Sequence, residues 1–320
     1  KPFSEYRKYF FRYASEFGFQ SFPSVKTLET VTDDPKELNP FSYVMEKHQR
    51  NYGGNGKIAK YMQAAYRYPE NFSDFVYASQ LLQADGIRYG VEHYRRNRGR
   101  CMGAIYWQLN DCWPVISWSS IDYYGRWKAL HYYAKRFFAP VMLSCEEQSW
   151  MTVEADMNRQ HFEFEKSIRL NVTNETLDAH RVLVKWAVRK TDATILREEE
   201  QWLEVPALSA VWMDKVELPQ IDCFNEYVSY EAWENDQIIS QGTVIFSYPK
   251  YFRYLNPGLT VRVDGDEIVV KAEAYAKSVE IRNENDDLIL EDNYFDMNAG
   301  EYRVKILDGK PDGLKVRSVY

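Results

Sequence analysis

The spacing of apolar residues changes at Pro140, and that change restricts the chain to a mixed architecture. Upstream of it, Phe75, Ala78, Leu82, Gly86, Tyr89 and His93 recur every three or four residues and predict one buried stripe on a helix from about Ser73 to Asn97. Trp127, Leu130, Ala134 and Phe137 predict a further helix, which Pro140 stops. Asn39-Pro40 reads as a cap with proline in the first helical position, followed by Phe41, Val44, Met45 and His48. The Asn51–Gly56 stretch, rich in glycine and asparagine, is expected to break that helix. Two compact apolar runs, Tyr9 to Glu16 and Gly103 to Leu109, read as short buried strands. Strand, helices, strand, helix is the order of an α/β fold with parallel strands. Two such strands cannot cover both of their own faces, so the segment reads as part of a larger sheet.

Downstream of Pro140 the period is two. Phe162, Phe164, Ile168, Leu170 and Val172 alternate with polar neighbours, as do Val182, Val184, Trp186 and Val188. Strands over Tyr227–Trp233 and Gly242–Phe246 complete the pattern of an antiparallel sandwich. A second all-β unit starts near Tyr251. There Leu259, Val261 and Val263 lead into Asp264-Gly265, a hairpin signal, with Ile268, Val270 and Ala272 behind it.

Length and composition bound the function. A chain of 320 residues suggests two or three domains. Forty basic against 47 acidic residues is the wrong balance for a duplex binder, and no apolar run approaches the about 20 residues of a membrane span. Neither a nucleic acid nor a membrane is therefore expected as a partner. Cys101, Cys112, Cys145 and Cys223 lie too far apart for a zinc knuckle and are too few for a disulfide scaffold. His48 and His131 have no second ligand one helical turn away, so no metal and no cofactor is expected. Aromatic residues reach 16%, and four of the nine tryptophans fall between positions 107 and 127. Aromatic faces suit sugar rings, and they also fill cores.

Both α/β strands end in polar residues, one in Ser15-Glu16, the other in Gln108 and Asn110-Asp111. In (β/α) barrels the C-terminal ends of the strands face the active site, which is where a catalytic carboxylate belongs. Glu16 could instead cap a helix or pair with Arg12.

The segment from Phe11 to Pro23 (Phe-Arg-Tyr-Ala-Ser-Glu-Phe-Gly-Phe-Gln-Ser-Phe-Pro) resembles the nucleophile segment of family 2 glycoside hydrolases, specifically the β-mannosidases. Tyr106 to Asp122, with its Trp-Gln-Leu-Asn-Asp-Cys-Trp-Pro run, resembles their last barrel strand and the loop after it. Gly125-Arg126-Trp127-Lys128-Ala129-Leu130-His131-Tyr132 extends the similarity into the closing helix. The resemblance implies a multidomain chain: residues 1–140 as the C-terminal part of a (β/α)8 barrel, 141–248 as an immunoglobulin-like sandwich, and 249–320 as a smaller one. It implies Glu16 as the nucleophile of a retaining exo-β-mannosidase, acting on terminal β-D-mannose of an oligosaccharide or glycan, and Trp107 as a wall of the sugar site. Asn110 and Asp111 would hydrogen-bond sugar hydroxyls or hold the loop. Trp113 and Trp118 fit loop packing.

Retaining hydrolysis needs a second carboxyl group about 5–5.5 Å from the first. In the family it follows an asparagine on an earlier barrel strand, and only fifteen residues precede Glu16. Asn174-Glu175 falls in an alternating β segment and does not substitute for it. The expectation is a C-terminal portion, inactive alone, whose partner is the missing N-terminal half of the same protein. Lys1-Pro2-Phe3 carries no leader, so the compartment stays open, with the cytoplasm slightly favoured. The alternatives are another family 2 activity (exo-β-glucosaminidase, β-galactosidase or β-glucuronidase) and a non-catalytic carbohydrate-binding sandwich protein.

Overall fold

The computed structural model describes residues 2–153 and 163–320, so Phe162, placed above in the first strand series, lies outside the described residues. The chain forms two compact units. The first comprises Lys1–Ser15, Tyr89–Ala104 and Lys135–Pro257, and the second Glu16–Arg88, Ile105–Ala134 and Gly258–Tyr320.

The α/β portion contains β1 (Ala14–Phe17), α1 (Val25–Leu28), α2 (Tyr43–Lys47), α3 (Gly54–Ala65), α4 (Phe72–Arg96), β2 (Ala104–Tyr106) and α5 (Ala129–Phe137). The Met102 N–H donates to the Arg12 carbonyl, the Ala14 N–H to Gly103, and the Trp107 N–H to Phe17. These bonds climb both segments in the same direction, so β1 and β2 run parallel. They form a two-stranded sheet, and the barrel expected of this portion is not confirmed. Both strands are shorter and more open than the apolar runs suggest. Tyr9, Phe10, Phe11 and Tyr13 are exposed and precede β1 or lie outside it, while Ile105, Trp107 and Leu109 are half exposed. The physical reason is that apolar character buries a strand only when neighbouring strands and helices cover it, and here one strand covers one edge.

Helix α4 matches its expected span, with Phe75, Ala78, Leu82, Tyr89 and His93 buried. The cap of α2 is Ser42, whose hydroxyl accepts the Met45 N–H, in place of Asn39. Asn39 makes a local turn instead, its side-chain oxygen accepting the Phe41 N–H. Helix α3 starts within the stretch read as a breaker, and Ile58, Met62 and Ala65 are its buried face. Gly54 is there for close approach: a Cβ would lie 2.5 Å from the Gln49 amide.

In the first unit, β3 (Val141–Gln148), β4 (Ser167–Asn174), β5 (His180–Lys190), β6 (Ile195–Val205), β7 (Ser209–Trp212), β8 (Val216–Glu217), β9 (Glu226–Glu234) and β10 (Gln237–Ile245) make an antiparallel sandwich. One sheet has the order β3-β4-β7 with β8 also on β4, the other β10-β9-β5-β6. The period-two residues Val182, Val184, Trp186 and Val188 of β5 meet Leu143, Cys145, Ile168, Leu170 and Val172 in one apolar core. Alternation along a strand sends every second side chain inward, which is why this part is readable from sequence.

In the second unit, β11 (Thr260–Asp264), β12 (Glu267–Ala272), β13 (Ala276–Arg282), β14 (Ile289–Leu290), β15 (Phe295–Met297), β16 (Gly300–Asp308) and β17 (Lys315–Val319) form sheets of order β11-β12-β16-β14 and β15-β13-β17. Asp264 pairs with Glu267 across the hairpin, and Gly265 takes a φ of 66° at the first loop position. This sandwich packs on the helices of its own unit. The Tyr77 hydroxyl donates to the Ser278 carbonyl at 2.6 Å, and the Leu290 N–H donates to the Tyr132 hydroxyl at 3.3 Å.

Candidate active site

Glu16 belongs to β1, and Trp107 follows β2, the strand paired with it. The bond from the Trp107 N–H to the Phe17 carbonyl, 2.8 Å, aligns Phe17 with Tyr106 in the parallel pair. Glu16 lies within β1 and Ile105 within β2, and Trp107 directly follows the last residue of β2. Glu16, Ile105 and Trp107 are exposed and Phe17 and Tyr106 half-buried, while Ala14 of β1 is buried and Ser15 exposed. Glu16 accepts no hydrogen bond and joins no ion pair among the described residues, so neither structural use considered for it is realised. The Trp107–Gln108 peptide bond is cis.

The loop after β2 folds around Asp111, which is buried. Ser117 Oγ donates to its Oδ1 at 2.7 Å and Ser119 Oγ to its Oδ2 at 2.5 Å, while Gln108 Nε2 reaches Oδ1 at 3.1 Å. Asn110 stays exposed, with its main chain bridged to Ile121. On the facing side, Gly18 presses directly on this loop, since a Cβ there would lie 2.4 Å from the Trp107 carbonyl oxygen.

Among the buried residues are some that the motifs do not single out. Gln83 of α4 is fully buried, and its Nε2 lies within hydrogen-bonding distance of the carbonyls of Phe19, Trp118 and Ser119 at 2.8, 3.0 and 3.3 Å. Its Oε1 accepts from Ser21 Oγ at 2.7 Å. Lys128, also buried, directs Nζ at the carbonyls of Ser21 (3.3 Å) and Ser117 (3.4 Å). Burial lowers its ammonium to about 8, against the upward pull of Asp111 and Asp122. Asp122 is occupied in turn by the N–H groups of Tyr124 and Arg126 and by Thr27 Oγ1. No local sequence pattern points to Gln83, whose role shows only in the carbonyls that its side chain reaches.

His48 stacks on Trp113 at 4.7 Å and contacts the Pro114 carbonyl, and Arg50 covers Trp113 at 4.7 Å. His131 bonds to Ser120 Oγ and meets the edge of Trp127. No group of three or more potential metal ligands occurs among the described residues. Asn174 is buried, donating to the carbonyls of Asp178, Val205 and Pro206, and Glu175 pairs with Arg98 at 3.1 Å.

Comparison with known proteins adds kinship. Residues 166–251 match the family described as Mannosidase Ig/CBM-like domain, and 254–320 match an Ig-fold domain family. The chain is 29% identical to the β-mannosidase B of Thermothelomyces thermophilus, across 97% of this chain and 39% of that protein. Over 41% of this chain it is 39% identical to the β-mannosidase of Capra hircus, covering 16% of that protein. The crystal structure of β-D-mannosidase from Dictyoglomus thermophilum superposes with a TM-score of 0.85 at 25% identity, over 99% of this chain and 38% of that one. An exo-chitosanase from Amycolatopsis orientalis shares the fold, with a TM-score of 0.70 at 17% identity over 99% of this chain and 45% of that one. The chain thus spans about two fifths of the relatives that it matches end to end.

Proposed function

We propose that this chain, a relative of the β-mannosidases, carries the nucleophile side of a retaining exo-β-mannosidase site. The observation that supports it most is the exposed, unpartnered Glu16 carboxylate on β1, with the exposed Trp107 indole at the end of the paired strand β2. Glu16 attacks the anomeric carbon of a terminal β-D-mannosyl unit while the bond to the leaving oxygen breaks. An acid carboxyl protonates that oxygen. The resulting glycosyl ester is then cleaved by water, whose proton returns to the same carboxyl, and Glu16 leaves as carboxylate. Trp107 offers an apolar wall for the sugar ring, and Asn110, with an exposed side chain, is assigned to its hydroxyls. Asp111 spends its carboxylate on Ser117, Ser119 and Gln108, so its role is to hold the loop.

The acid/base belongs, in this reading, to polypeptide beyond these residues, on further strands that complete a (β/α)8 barrel around β1 and β2. Half-exposed Ile105 and Leu109 beside Trp107 support that assignment, because strands of a parallel sheet normally have both faces covered. The two sandwiches then follow as immunoglobulin-like domains. A 2-deoxy-2-fluoro-β-mannosyl fluoride, incubated with the full-length polypeptide containing this chain, is expected to label Glu16. Peptide mapping that finds the label elsewhere, or nowhere, would overturn the assignment. Parallel assays on aryl β-mannoside, β-glucosaminide, β-galactoside and β-glucuronide decide the sugar, and preference for any but the first would move the reading to another family 2 activity.

A further inference from the structure

Resting on that reading of Glu16 and Trp107, we propose that Gln83 and Lys128 are positioning residues. They form a buried polar clamp that fixes the chain leaving Glu16 against the chain leaving Trp107.

Gln83 and Lys128 come from different segments, one within α4 and the other one residue before α5, yet they converge on the same two loops. Gln83 reaches the carbonyls of Phe19 on one loop and of Trp118 and Ser119 on the other, and it holds the Ser21 hydroxyl. Lys128 reaches the carbonyl of Ser21 on the first loop and of Ser117 on the second. Two of the clamped carbonyls also carry main-chain bonds, one between the loops and one within the second loop. The Ser117 carbonyl accepts the Ser21 N–H at 3.0 Å, and the Trp118 carbonyl accepts the Gln108 N–H at 3.1 Å. Ser21 lies just past Glu16 in sequence, and Gln108 adjoins Trp107. A side chain serving stability alone would need to satisfy only its own groups. Both of these satisfy acceptors on two separate loops, which couples the loops to each other. Neither bonds to the side chain of Glu16 or Trp107, so neither is a catalytic residue.

The test uses Gln83→Met and Lys128→Met separately, which remove the donors while keeping apolar bulk. Each is made in the full-length polypeptide and in the 320-residue chain. In the full-length protein, kcat for an aryl β-mannoside, normalised to folded protein, is expected to fall by up to about 100-fold with KM little changed, as misplacement of reacting groups predicts. In the 320-residue chain, hydrogen exchange is expected to quicken at the Ser21 and Gln108 amides while the β12 amides of the same unit stay protected. Unchanged kcat per folded molecule, or exchange that quickens throughout the unit rather than at these amides, would overturn the clamp. Should the unsubstituted protein cleave none of the aryl glycosides, the reading of the site fails and the exchange experiment alone judges the coupling. Unchanged exchange at both amides then rejects it. If Gln83→Met does not fold, Lys128→Met carries the same comparison.

Discussion

A methyl group on Gly18 would meet Trp118 Cδ1 at 2.9 Å as well as the Trp107 carbonyl oxygen, and that oxygen is backbone that cannot swing aside. Gly18→Ala is therefore expected to destabilise the unit by about 1–3 kcal/mol, the usual cost of overpacking. It should also push Trp107 out of alignment with Glu16. Urea unfolding measures the first effect and the rate of fluoromannoside labelling the second, and an alanine variant with parental values in both would refute the close approach. Glu16 and Trp107 are conspicuous in the sequence because one closes an apolar run and the other lies within one, each inside a recognisable motif. Gln83 and Lys128 are not, because their meaning lies in carbonyls dozens of residues away, which no local pattern encodes. Asp111 stands open between two uses until its hydroxyl donors are located.

At the scale of elements, the sandwich strands are legible because a period of two has one physical reading when turns flank it. Helix α3 is hidden by Gly54 and Gly56, residues that disfavour helices in isolation; Gly54 fits here by its close approach to Gln49. The limits of β1 and β2 differ from the apolar runs because burial depends on neighbouring strands, which such a run cannot reveal. Helix α4 brings a pH dependence. Its His93 is buried, contacts the Tyr9 carbonyl through Nε2, and lies edge-on to Phe10; burial, with the Arg96 charge next, lowers it from 6.5 to about 4. Above pH 6.5 the ring is neutral in both folded and unfolded chains, and its contribution to stability is whole. As pH falls from 6.5 towards about 4, the unfolded chain takes up a proton that the folded one refuses. Up to about 3 kcal/mol is lost across that window, since each tenfold difference in proton affinity between the two states is worth about 1.4 kcal/mol. Urea midpoints measured from pH 7 to pH 4 should fall less steeply in His93→Gln than in the parent chain, and parallel curves would show that His93 is not the group responsible.

At the scale of the molecule, each unit is assembled from three separated stretches of chain, so neither can be excised as a continuous piece. The unit that holds Glu16 and Trp107 includes everything from Gly258 onward. Ser24 Oγ donates to Asp286 at 2.8 Å, and Arg317 lies over the Tyr77 ring at 4.4 Å while bonding to Asp74 and Glu280. Truncation after Pro257 is expected to strip Tyr77 and Tyr132 of their partners and to leave that unit unfolded or aggregated. Circular dichroism and size exclusion of the truncated chain provide the check; a monomer with a cooperative melt and intact helices would contradict it.

The tail formed by β11 to β17 is consequently no detachable accessory. Shuffling it between paralogues, or trimming it to shorten an expression clone, would remove the scaffold on which α4 rests and, through that helix, the glutamine that spans the two loops. Inheritance of the carboxylate and of the terminal sandwich should therefore be linked, with neither retained for long once the other has gone.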